Sequence, residues 1–153
     1  MRRWIVYAAV LAVLAISPLQ GMDIGTLSPA RTVWLAEHNG QIYMQTDAGD
    51  FGVGADVQGA LDDLNASASC QVFLETADYL IIEKGREVLL TQAVAVFRPA
   101  CRICTADKMP DMESATDFLR VHKPVTTLRQ WRVEKNQLQL LQEQNGRFCW
   151  DEE

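Results

Sequence analysis

Two cysteines three apart are the first residues whose spacing suggests chemistry. Cys101-Arg102-Ile103-Cys104 is a CxxC. A redox pair of this kind sets its first cysteine at a helix N-terminus, where the dipole lowers the thiol pKa. Here the motif lies in ACRICT, between Pro99 and Asp107, in a setting that reads as strand. On a strand, residues i and i+3 point to opposite faces. The two thiols are therefore expected to face apart and pack, with thiol redox by Cys101 and Cys104 as the alternative function. Cys70 and Cys149 complete a set of four, which allows three pairings. Cys70 and Cys101 would meet if the strands flanking the second helix are parallel neighbours. Zinc would need Cys101 and Cys104 with distant help from His122 or Cys149, and Arg-Ile is poor material for the tight turn of a zinc knuckle.

A second candidate is Asp47 to Ala55, DAGDFGVGA, which reads as a glycine-rich loop. Glycines before a helix can cradle a phosphate, but the Walker Lys and Ser/Thr are missing, and Asp47 and Asp50 repel an anion. Gly52-Val53-Gly54-Ala55-Asp56 resembles one calcium-binding nonapeptide, in a single copy with Phe51 where glycine belongs, which makes the Asp47–Asp56 loop the candidate for a small ligand or metal ion. The simplest expectation is a tight turn that sets a strand against the helix. A third candidate is the carboxylate set Glu75, Asp78 and Glu83 around the apolar stretch Gln71–Glu83. Paired carboxylates can do acid–base work; at strand ends they more commonly face water. No serine lies in a nucleophile elbow. The residues nominate no catalytic set, no metal site and no cofactor.

The elements that must position these groups alternate. Thr32–Glu37 and Gln41–Thr46 flank Asn39-Gly40, the strongest short hairpin signal, because a type I′ turn needs two positive φ angles. Asp56–Ala66 reads as a helix, with Val57, Ala60, Leu61 and Leu64 on one face and Asp56 as its cap. Gln71–Glu83 reads as a buried strand bent at Ala77-Asp78 and central in the sheet. Arg86–Phe97 reads as a helix, Ala100–Thr105 as a strand, and Asp111–Val121 as a second amphipathic helix after it. Thr127–Val133 and Leu138–Gln142 read as strands, and Asn145-Gly146 as a hairpin turn into Phe148-Cys149-Trp150. The expected fold is a mixed α/β domain over residues 32–150: one mixed sheet, hairpins at both ends, about three helices packed on it.

The chain has 153 residues and a formal charge of −6. Without Arg2 and Arg3 it carries 12 basic against 20 acidic side chains, a charge of −8. Such a domain repels phosphate backbones, so nucleic acid is not an expected partner. At the N-terminus, two arginines precede the uncharged apolar run Trp4–Ile16 and then Ser17-Pro18. That is the layout of a secretory signal. Pro18 hinders cleavage after Ser17. Trp4–Met22, as a helix, would reach roughly 28 Å, about one hydrocarbon core. Residues 1–22 are therefore a signal peptide or an uncleaved membrane anchor, and 23–31 a linker. Either way the domain is expected outside the cytoplasm, secreted or on the outer face of the membrane.

The stretch from Gly54 to about Leu119 resembles the N-terminal domain of the Ger(x)C family, the C subunits of spore germinant receptors. The likeness is carried by a helix in ADVQGALDDL, a strand in ADYLIIEKG, a further helix, a strand in CRICTAD and a last helix. It spans less than half of the chain, which is shorter than the family and lacks its lipobox cysteine, so no functional residue carries over. The resemblance implies an exported, non-catalytic α/β module in a spore-forming bacterium. The functional expectation is a binding or assembly module whose partners are proteins at the membrane or cell envelope.

Overall fold

The computed structural model describes residues 27–151. The apolar run Trp4–Ile16 and the segment up to residue 26 lie outside them. The described chain runs β1 (Leu27–Pro29), β2 (Thr32–His38), β3 (Gln41–Thr46), β4 (Phe51–Gly54), α1 (Val57–Ser67), β5 (Gln71–Phe73), β6 (Tyr79–Glu83), α2 (Leu89–Ala93), β7 (Arg102–Ala106), α3 (Met112–Val121), α4 (Leu128–Glu134), β8 (Leu140–Gln144) and β9 (Arg147–Trp150). Seven strands form one mixed sheet in the order β4-β3-β2-β6-β7-β8-β9. The inner strands β2, β6, β7 and β8 are parallel, and antiparallel hairpins close both ends. The expected single-sheet α/β fold is thus what forms, with four helices among the described residues.

Both hairpin turns follow from their Asn-Gly pairs. Asn39 and Gly40 have φ of 55° and 75°, and Asn145 and Gly146 of 53° and 73°. These are the angles of a type I′ turn, whose twist matches the strands it joins. The inner strands are apolar on both faces because helices cover both. On one face α1, α2 and α4 bring Ala60, Leu64, Leu90, Leu128 and Trp131 onto Leu35, Met44, Leu80, Ile82 and Ile103. On the other, α3 lays Met112, Ala115 and Leu119 on Trp34, Ile81, Cys104 and Leu141. Buried polar groups are matched: Thr116 Oγ1 donates to Thr32 Oγ1 at 2.7 Å, and no buried side-chain N or O among the described residues lacks a partner.

Several expectations are corrected. DAGDFGVGA is not a loop throughout, since Phe51–Gly54 forms β4 and pairs with β3. The glycines serve close approach. A Cβ on Gly54 would sit 2.2 Å from the Ala60 backbone N, and one on Gly52 2.2 Å from the Ala60 carbonyl O. Within Gln71–Glu83 only β6 belongs to the main sheet, where it is central. β5 leaves it, followed by a 3₁₀ turn at Leu74–Thr76, and pairs in parallel with β1, which occupies part of the expected linker. Arg86–Phe97 is not one helix but a short α2 flanked by turns. Thr127–Val133 is α4, a helix begun by a capping box between Thr127 and Gln130.

Candidate functional site

Cys101 lies just before β7 and Cys104 within it, and both are fully buried. They face opposite sides of the sheet, Cys101 among the residues under α1, α2 and α4, and Cys104 under α3. Burial pushes the Cys101 thiol up to about 12, with Arg98 pulling it down and Asp78 reinforcing the rise. Burial also raises Cys104, helped by Cys101. Disulfide exchange requires a thiolate with access to its target; neither sulfur has that setting. All four cysteines are free thiols, with Cys70 and Cys149 half-buried. The pairing of Cys70 with Cys101 does not form. Cys70 precedes β5, which is outside the main sheet, so it has no place beside the start of β7.

Asp47 and Asp50 hold the β3–β4 turn. Asp47 Oδ1 accepts from the Arg31 backbone N–H at 3.0 Å. The Asp50 N–H donates to Thr46 Oγ1 at 3.2 Å, and the Thr46 N–H donates to the Asp50 carbonyl at 2.9 Å. Among the described residues no group of three or more His, Cys, Asp and Glu is placed to hold a metal ion.

At the carboxyl ends of β2, β6 and β7, where α/β sheets commonly bind ligands, the charges pair with one another. His38 Nε2 lies 3.6 Å from Glu83, Lys84 Nζ 3.8 Å from Asp107, and Arg86 3.9 Å from Glu37. Pairs this exposed contribute about 0–1 kcal/mol each.

Asp78 sits at the other end of the sheet, beside a depression of about 340 Å³ lined by Tyr79, Arg98, Ala100, Arg102, Arg120 and Lys123. Arg98 pairs with Asp78 and donates through Nε to the Ala77 carbonyl at 3.0 Å. The sequence points to Asp78 but not to its cations, which are spread over 26 positions. Only the register partnership of Tyr79 with Arg102, and the placing of α3 over it, brings them together.

The two edges of the sheet differ. In the β3–β4 pair the N–H and C=O groups of Phe51 and Val53 point outward. α1 side chains take two of these four: Val53 N–H donates to Asp63 Oδ2 at 2.9 Å, and Ser67 Oγ donates to the Phe51 carbonyl at 3.2 Å. In the β8–β9 pair, Asp151 N–H donates to the Leu140 carbonyl, so by alternation the outward groups belong to Trp150 and Phe148. Among the described residues none of these four N–H and C=O groups has a partner. Both side chains pack on Phe118, with ring centroids 5.6 and 6.1 Å away. Asparagine and glycine mark this hairpin in the sequence, but nothing in it marks the edge as open.

The chain matches no protein-family model, no curated protein and no solved structure.

Proposed function

We propose that this chain is an exported or membrane-anchored, non-catalytic binding and assembly module. Its partner is a protein of the cell envelope that adds an extended segment to β9. The carrying observation is the contrast between the edges: α1 side chains hold two of the four outward groups of β4, while all four of Phe148 and Trp150 on β9 are ready to pair. Main-chain hydrogen bonds supply affinity in strand addition and flanking side chains supply selectivity. The aromatic group of Phe118, Phe148 and Trp150 lies where those flanking contacts fall. The resemblance to the germinant-receptor family is the basis for placing the module in spore envelope or germination.

A photoreactive residue at Arg147 on β9, with a control at Phe51 on β4, tests this in cells producing the full chain. The expected result is a covalent adduct to a second polypeptide from position 147, in the envelope fraction, and none from position 51. Phe148→Pro removes an outward N–H without breaking a bond to β8 and should abolish the adduct. Equal yields from both positions, or no adduct from either, would refute strand addition. Recovery of the full chain in the cytoplasmic fraction would refute export.

A further inference from the structure

The depression at the amino ends of β6 and β7 stands out electrostatically. Four cations line it in a chain whose net charge is −6. Asp78 pairs with Arg98, and Asp117 lies 3.5 Å from Arg120. Counting both carboxylates, the depression keeps a charge of +2. Arg102 and Lys123 have no carboxylate partner among the described residues.

The cations come from three separate elements. Arg98 arrives from the α2–β7 connection, Arg102 is the first residue of β7, and Arg120 and Lys123 sit at and just beyond the end of α3. Two of the guanidiniums are oriented by backbone carbonyls: Arg98 by Ala77, and Arg102 Nη1 by Pro124 at 2.5 Å. That single bond leaves Nε and Nη2 of Arg102 unmatched by any acceptor among the described residues. Tyr79 is the register partner of Arg102 on the same face. It lines the depression together with the four cations. Burial raises its pKa most, Asp78 adds to the rise, and Arg102 and Arg120 oppose it. At neutral pH the phenol keeps its proton and is a donor.

We propose that this depression is a binding site for the phosphate group of a small phosphate or phosphoester. A phosphate carries up to two negative charges and three strong acceptor oxygens, matching a residual +2 and donors converging from several sides. Guanidinium forks fit phosphate oxygens in bidentate fashion. A carboxylate, with one charge, would leave the depression half-neutralised. The group has two sources, a soluble phosphate or a lipid headgroup, and the recognition chemistry is common to both. The site uses different residues from the β9 edge, so each proposal can fail without the other.

The test is calorimetric titration of inorganic phosphate into the full chain in neutral detergent, with chloride at matched ionic strength as control. A saturable one-site isotherm is expected with phosphate only. Arg102→Gln should weaken it roughly 10- to 100-fold, the loss of a hydrogen bond to a charged group. Because Arg102 also holds the Pro124 carbonyl, the exposed Lys123→Gln serves as a variant that spares the fold, and it should weaken binding by a smaller factor. Asp78→Asn should tighten binding by removing the competing carboxylate. A merely structural role for these residues predicts no such opposition of sign. In nanodiscs of phosphatidylglycerol, loss of the phosphate isotherm assigns the site to a headgroup, and its retention assigns it to a soluble phosphate. No saturable isotherm in detergent, or one that neither Lys123→Gln nor Arg102→Gln changes, overturns the proposal.

Discussion

Gly54→Ala places one methyl group between β4 and α1. Its carbon would lie 2.2 Å from Ala60 N, 2.4 Å from the Gly59 carbonyl carbon and 2.9 Å from Gly59 Cα. Unstrained contact between such atoms needs about 3.5 Å, so either α1 retreats by roughly 1 Å or β4 parts from β3. The obstacle is helix backbone, which cannot swing aside as a side chain does. Retreat also breaks the Val53–Asp63 hydrogen bond and loosens Ala60 and Leu64, both fully buried. Overpacking a core costs about 1–3 kcal/mol, and the rigid obstacle puts this case at the upper end, about 3 kcal/mol. For a domain of this size that is a drop in Tm of roughly 10 °C. Gly59→Ala is the control. Its Cβ meets only Asp56 Oδ1 at 3.2 Å and Gly54 Cα at 3.7 Å. Alanine gains up to about 1 kcal/mol of helix propensity there, so the net change should stay within about 1 kcal/mol. Urea denaturation of the full chain in detergent, followed by tryptophan fluorescence, measures both. If Gly54→Ala falls within 1 kcal/mol of Gly59→Ala, the close approach of strand to helix is wrong.

The cysteines give two further expectations. At pH 8 an alkylating reagent should modify Cys70 and Cys149 in the folded chain, and Cys101 and Cys104 only after denaturation; mass spectrometry reads the sites. Because folding raises the Cys101 pKa from 9.0 to about 12, its stabilising contribution is whole below pH 9.0 and is lost as pH climbs through that window. The slope is roughly 1.4 kcal/mol per pH unit for each such thiol, and Cys104 acts in the same direction. Denaturation midpoints that stay flat between pH 9 and 11 would contradict it. Thr127→Ala removes one half of the capping box of α4 and should cost about 1 kcal/mol, while Thr127→Ser should cost much less; the same denaturation curves decide.

The legible parts of the sequence were those with short-range physical causes. Asn39-Gly40 and Asn145-Gly146 specify turns through backbone φ alone. Val57, Ala60 and Leu64 specify a helical face, and YLIIE a strand buried from both sides. The opposite facing of Cys101 and Cys104 needed only strand geometry. Misreadings came where a long-range contact or an overlooked cap decides. The glycines of β4 look like loop residues because their purpose is the nearby backbone of α1. In Thr127–Val133 the β-branched and aromatic residues suggest a strand, but Leu128 and Trp131 at i, i+3 and the Thr127–Gln130 box make a helix. β5 lies in the same apolar stretch as β6, five residues before it, yet it finds its partner in β1, more than forty residues earlier. Of the depression, Asp78 was visible from sequence. Its cations were not, since register alone assembles them.

The unequal edges also set how many chains can join. A sheet with two open edges is a monomer for a filament, because each addition exposes a fresh acceptor. Here a strand approaching β4 must first displace Asp63 and Ser67, which hold the Val53 N–H and the Phe51 carbonyl. Under the proposed strand addition the molecule therefore has a valence of one. Two copies meeting through β9 would form a closed two-fold pair, and a foreign strand would terminate the sheet outright. Under the proposed strand addition, growth stops after a single step, so this hairpin can stay unpaired without seeding fibres.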